Sequence, residues 1–247
     1  TGMPEVEEEI VEDECEYVME LRAHGQNTPG DETPYTVPQS GDHYECFYFR
    51  LPWNQPAHGL RFDPIIDDSR VLHHWLLYKT DMGNETDGYH SRCGGVHEGS
   101  ELVAGWAPGG EPLIMPEGVG MKLPEGPSGL FVLEIHYNNA ARHQDAFDRS
   151  GVKICATTAL REETAGMQWL GTEDLLMLAP GDHDRSGWCR PNLSQPVTII
   201  NSSPHMHRRG RHLKSIVHRQ GGGTDTLIDE PSDFDHQVIY ETPLVLN

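Results

Sequence analysis

The run Val71-Leu72-His73-His74-Trp75-Leu76-Leu77-Tyr78 places two adjacent imidazoles among residues that are otherwise β-branched, aliphatic or aromatic. Such a run reads as a buried or half-buried strand, and a histidine buried there needs partners for its ring nitrogens. Neighbouring residues of a regular strand face opposite ways, so His73 and His74 share one ligand only if the strand is bulged or lies at an edge. Two further histidine elements follow. His136 ends the apolar stretch Phe131-Val132-Leu133-Glu134-Ile135-His136-Tyr137, and His205 and His207 flank Met206. On a strand, residues two apart share a face, so His205 and His207 present their rings together.

These five histidines are candidate ligands of two metal sites. Imidazole suits zinc, copper, iron and nickel. A three-histidine site keeps room for an exogenous ligand, whereas structural zinc more often recruits cysteine and closes its shell. A site with two histidines needs a third ligand, and a thioether there selects copper. The remaining histidines, among them His24, His43, His58 and His90, lie between polar or turn residues and read as surface, as does the Glu134 carboxylate. Trp75, Trp106, Trp169 and Trp188 read as core.

The rest of the chain predicts an all-β fold. It has 26 glycines and 18 prolines in 247 residues, no helical period, and short alternating runs separated by turns. Strands are expected over 17–23, 43–51, 59–63, 71–78, 131–137, 151–158, 197–201 and 212–218, with Gly221-Gly222-Gly223 as a hairpin loop; 81–105 reads as irregular. The length accommodates two domains. An acidic arm is expected over 1–16, a first domain over 17–160 and a second over 161–247. A formal charge of -21 argues against nucleic acid and against an anionic membrane surface, and a neutral or cationic small substrate fits better. No apolar run reaches transmembrane length, and no signal peptide is read at Thr1, which suits a processed form. Cys15, Cys46, Cys93, Cys155 and Cys189 show no CxxC spacing. Scattered cysteines in a turn-rich β chain point to disulfides and an oxidising compartment, secreted or periplasmic.

Several segments carry a resemblance: Tyr44-Glu45-Cys46-Phe47-Tyr48-Phe49-Arg50-Leu51-Pro52, Leu72 to Tyr78, Gly105-Trp106-Ala107-Pro108-Gly109, Pro116-Glu117-Gly118-Val119-Gly120, Leu133 to Tyr137 and Pro204-His205-Met206-His207. In this order and spacing the sequence resembles the copper type II, ascorbate-dependent monooxygenases, which include peptidylglycine alpha-hydroxylating monooxygenase and dopamine beta-monooxygenase. The resemblance implies two jelly-roll-like antiparallel β-sandwich domains side by side. It implies an electron-transfer copper on His73, His74 and His136 in the first domain and an oxygen-activating copper on His205 and His207, the catalytic pair, in the second. It also implies a Cys46–Cys93 disulfide, with Cys15 and Cys155 as a further pair.

In the family a methionine downstream of the His-x-His completes the second copper site, and a cysteine there pairs with the one at the position of Cys189. No methionine follows Met206 in this sequence, so a missing C-terminal segment or a second chain is expected to supply both. Where peptide-amidating members carry a carboxylate-binding arginine, this chain has Ser202 and Ser203, which does not support peptide amidation. The activity expected is hydroxylation of an aliphatic C–H of a small substrate with O2 and ascorbate or a similar reductant, using two coppers per complete protein. The competing expectations are a non-catalytic secreted copper buffer or carrier on the same fold, and a carbohydrate-binding jelly roll.

Overall fold

The computed structural model describes residues 15–94, 99–171, 178–206, 209–232, 234 and 237–247. The described residues hold strands and no helix. They divide into two compact units, one ending at Met167 and the other beginning at Gln168.

The first unit carries β1 (Tyr17–Arg22), β2 (Tyr35–Thr36), β3 (His43–Arg50), β4 (His58–Ile65), β5 (Leu72–Thr80), β6 (Tyr89–Arg92) and β7 (Glu101–Trp106). It continues with β8 (Leu113–Ile114), β9 (Val119–Lys122), β10 (Leu130–Tyr137), β11 (Phe147–Asp148), β12 (Gly151–Thr157) and β13 (Glu163–Ala165). One sheet runs β1-β12-β4-β9-β13 with β8 on β4, and a second runs β6-β3-β10-β5-β7. Pairing is antiparallel except between β13 and β9. The division between units falls after Met167, since β13 is hydrogen-bonded into the first sheet.

The two sheets enclose one apolar core. Tyr17 of β1 packs edge-on against Trp53, which packs in turn against Phe131 of β10. Leu60, Phe62, Val152 and Ile154 of the first sheet and Phe47, Leu77, Leu133 and Ile135 of the second are all buried. Each such side chain removed from water contributes about 1.5–3 kcal/mol before chain entropy is counted. The second sheet is covered on its other face as well, where Cys46, Tyr48, Tyr78, Leu130 and Val132 form a cluster with Leu76, Tyr89, Cys93 and Leu102 packed on it. Every residue of β10 is therefore buried. Disulfides join Cys15 to Cys155 and Cys46 to Cys93, the first fastening the segment ahead of β1 to β12 and the second β3 to the residue after β6.

Two strands, β6 and β7, lie in the stretch that the sequence leaves irregular. Both are edges of the second sheet. The residues of β6, Tyr89-His90-Ser91-Arg92, have no apolar alternation, and the strand is held by its backbone pairing to β3.

The second unit carries β14 (Val197–Ser202), β15 (His212–His218), β16 (Thr224–Pro231) and β17 (Tyr240–Leu246). These form two ribbons, β14 with β17 and β15 with β16. Gly221, Gly222 and Gly223, with φ of 94°, 101° and 94°, turn the β15–β16 hairpin through a region that side chains rarely adopt. Leu227 and Ile228 of β16 are its buried apolar residues among those described.

Candidate metal centre

His73 and His74 stand on β5, and β10 runs antiparallel beside it. The register pairs His136 with His74 but Tyr137 with Leu72, so His73 is an additional residue inserted between two ladder partners. This is a β-bulge, which disrupts the alternation of faces locally. It supplies the condition under which adjacent histidines can serve one ligand. The rings of His73, His74 and His136 form a nearly equilateral triangle, with centroids 5.0, 4.9 and 4.9 Å apart and planes inclined by 69°, 64° and 64°. All three residues are buried, and each offers a ring nitrogen within 4.8 Å of the other two.

His73 Nδ1 and His74 Nδ1 are 2.8 Å apart. Two nitrogens bound to one ion at about 2.0–2.1 Å, with an angle between a right angle and tetrahedral, lie about 2.8–3.4 Å apart. The donor set thus fits a single divalent or monovalent transition-metal ion, and imidazole without thiolate or carboxylate is compatible with copper.

The residues around the triangle fix it further. Asp42, just ahead of β3, accepts a hydrogen bond from His136 Nε2 at 3.0 Å. The Tyr44 ring lies parallel to the His136 ring, with centroids 4.1 Å apart and planes at 1°. Along β10 the next residue on this face is Glu134, whose register partners are Leu76 of β5 and Cys46 of β3. Burial pushes the Glu134 carboxyl up to about 7. The sequence reads it as solvated, but its strand lies in the middle of a sheet covered on both faces. Cys46 and Cys93 also approach Glu134 closely enough to make a metal-like cluster, yet their sulfurs are joined to each other and supply no thiolate.

The opposite face of β3 holds another buried polar group. Glu45 accepts hydrogen bonds from Tyr35 at 3.1 Å, His43 at 3.0 Å and His90 at 2.7 Å. Burial would raise its carboxyl, and the bonds from His43, His90 and Tyr35 outweigh this and hold it below the usual range. His24, His43 and His58 are buried, contrary to their reading as surface residues. Their polar neighbours in sequence mark turns and strand ends, not exposure.

His205 follows the end of β14 and lies outside any strand, with its side chain exposed and Nδ1 2.7 Å from Gln237 Oε1. The strand geometry expected for the His-x-His does not extend to it, since Pro204 intervenes. His207 lies outside the described residues. Cys189 is exposed with a free thiol, and Trp169 and Trp188 are exposed rather than core.

Residues 31–144 match the family described as copper type II ascorbate-dependent monooxygenase, N-terminal domain. The matched span contains β2 through β10 and all three histidines of the triangle. Among curated relatives, the chain is 31% identical over 153 residues to peptidyl-glycine alpha-amidating monooxygenase A of Xenopus laevis, covering 60% of this chain and 16% of that protein. It is 26% identical over 224 residues to dopamine beta-hydroxylase of Equus caballus, covering 82% of this chain and 35% of that protein. It is 26% identical over 210 residues to tyramine beta-hydroxylase of Caenorhabditis briggsae, covering 76% of this chain and 36% of that protein. The chain therefore spans between 16% and 36% of the length of these relatives.

Proposed function

We propose, from the premise that the chain belongs to the copper type II, ascorbate-dependent monooxygenase family through residues 31–144, that His73, His74 and His136 hold one copper ion serving electron transfer in C–H hydroxylation. The observation that carries this reading is the bulge at His73, which turns an adjacent histidine pair and a cross-strand histidine into one triangle. Copper, when bound, supplies one-electron chemistry, accepting electrons from ascorbate or a similar reductant for the use of O2.

The protein's own groups do the rest. Three neutral imidazoles add no charge to the ion, so the site can hold both the reduced and the oxidised state without a change of ligands. Burial by β5, β10 and the Tyr44 ring excludes bulk water and keeps the donors rigid, which limits rearrangement between the two states. His205 and His207 are proposed as two ligands of the oxygen-activating copper. The second unit then carries the catalytic step. The substrate is proposed to be a small neutral or cationic molecule, in keeping with a chain of net charge -21 and with Ser202 and Ser203 ahead of the His-x-His. The two disulfides fit an oxidising compartment and support a secreted or extracytoplasmic location.

Metal analysis of the copper-loaded, dialysed chain tests the proposal. At least one tightly held copper per chain is expected, lost on His136→Ala and on His73→Ala. Copper content unchanged in both variants would overturn the assignment. A copper carrier on the same fold is distinguished by oxygen uptake with both copper sites filled: ascorbate-driven O2 consumption that depends on an added substrate identifies a hydroxylase, and none with both sites filled identifies a carrier.

A further inference from the structure

The stacked Tyr44 ring fixes the plane of the His136 imidazole but not its rotation within that plane. The bond from Nε2 to Asp42 Oδ1, 3.0 Å long, supplies the missing restraint. An ionised carboxylate only accepts hydrogen bonds, so the proton of the neutral ring is on Nε2 and the lone pair on Nδ1. The two partners differ in setting: the His136 side chain is 5% exposed and that of Asp42 is 77% exposed. Asp42 is thus an outward handle on a buried ring. It is held in turn by the loop ahead of β3, where Ser40 Oγ donates to the Asp42 carbonyl at 3.0 Å and the Asn139 backbone N–H donates to Ser40 O at 2.8 Å. The latter bond ties that loop to the residues just beyond β10, the strand that carries His136.

We infer that Asp42 is a positioning residue for the copper on His73, His74 and His136. Through Nε2–H it fixes the tautomer and the in-plane direction of His136, and its negative charge makes that imidazole a stronger donor to a bound ion. The inference rests on the copper reading given above. Its physical basis is general: a ligating histidine is oriented and made more basic by the acceptor on its other nitrogen, and loss of that acceptor weakens metal binding about 10- to 100-fold.

The test uses the whole chain at one fixed, neutral pH, with copper(II) affinity measured by competition against a chelator and the bound ion observed by electron paramagnetic resonance. Asp42→Ala is expected to weaken binding about 10- to 100-fold and to change the nitrogen hyperfine pattern. Asp42→Asn, whose amide oxygen still accepts, is expected to lose less, and Asp42→Glu to recover part of the affinity. The metal-free melting temperature of each variant should match the parent, which separates positioning from folding. Affinity and spectrum of Asp42→Ala unchanged, while His136→Ala abolishes binding, would overturn the role of Asp42 alone. Full affinity in His136→Ala would remove the copper reading and this inference with it.

Discussion

A carboxylate that is 5% exposed stays ionised only if donors replace its lost water, and Glu45 has three, on Tyr35, His43 and His90. Its carboxyl is held below the ordinary range, so the folded state binds the proton less readily than the unfolded chain. The stabilisation from this network is therefore fully present above the unfolded glutamate range and is lost as pH falls through the lower folded value. Glu45→Gln should flatten the decline of the unfolding midpoint in mild to strong acid. It should also lower the midpoint at neutral pH, because the amide NH2 would face an imidazole donor. An acid decline identical to the parent's would show that Glu45 does not carry it. At this scale the sequence is informative where chemistry is concentrated in adjacent residues. His73 and His74 declare both themselves and the bulge they need. Asp42 does not, because its partner His136 lies 94 residues away and only the register of β3 on β10 brings them together.

The strands that carry the site are those with the plainest patterns. β5 and β10 are long, apolar and central in their sheet, so alternation and composition suffice to find them. β6 escapes because an edge strand is half covered, and its sequence need not be apolar. β14 stops short of His205 for a different reason: Pro204 stands between them, and proline removes a ladder donor. The disulfide Cys46–Cys93 belongs to this scale, since it fastens β3 to the end of β6 across 47 residues. Replacing both cysteines by alanine should reduce the unfolding free energy by about 2–5 kcal/mol, measured by chemical denaturation. Copper binding below the melting temperature should persist, because the three histidines are fixed by β5 and β10. Loss of copper from a variant that is still folded would mean that the disulfide, one residue row from the triangle, shapes the site directly.

For the molecule as a whole the informative segment is the one that leaves the first unit. After β12 the chain turns into Arg161–Ala165, pairs in parallel with β9, and reaches the second unit at Gln168. His58 of β4 anchors it: Nδ1 accepts the Arg161 backbone N–H at 3.0 Å, and Nε2 lies 3.3 Å from Thr164 Oγ1. The ring rests on Gly120, where a Cβ would overlap it. Accepting at Nδ1 requires a neutral imidazole, and two influences favour that form. Burial is the larger and the nearby Arg161 charge the smaller, and together they lower the His58 pKa. Thr157, opposite His58 on β12, adds no charge. A histidine with a depressed folded pKa contributes stability that is complete above the unfolded value and is lost as pH falls below it. Hydrogen exchange, corrected for intrinsic rates, should therefore show the Arg161 amide protected at neutral pH and less protected near about pH 5, below the usual histidine range. The amides of β10 should not change over the same interval. In His58→Phe, which has no acceptor and no charge to gain, the Arg161 amide should be weakly protected at both pH values. Equal protection at both pH values in the parent would mean that β13 is held by its pairing with β9 alone, leaving His58 as packing. The expected loss would make the hold of β13 on the first sheet a function of acidity.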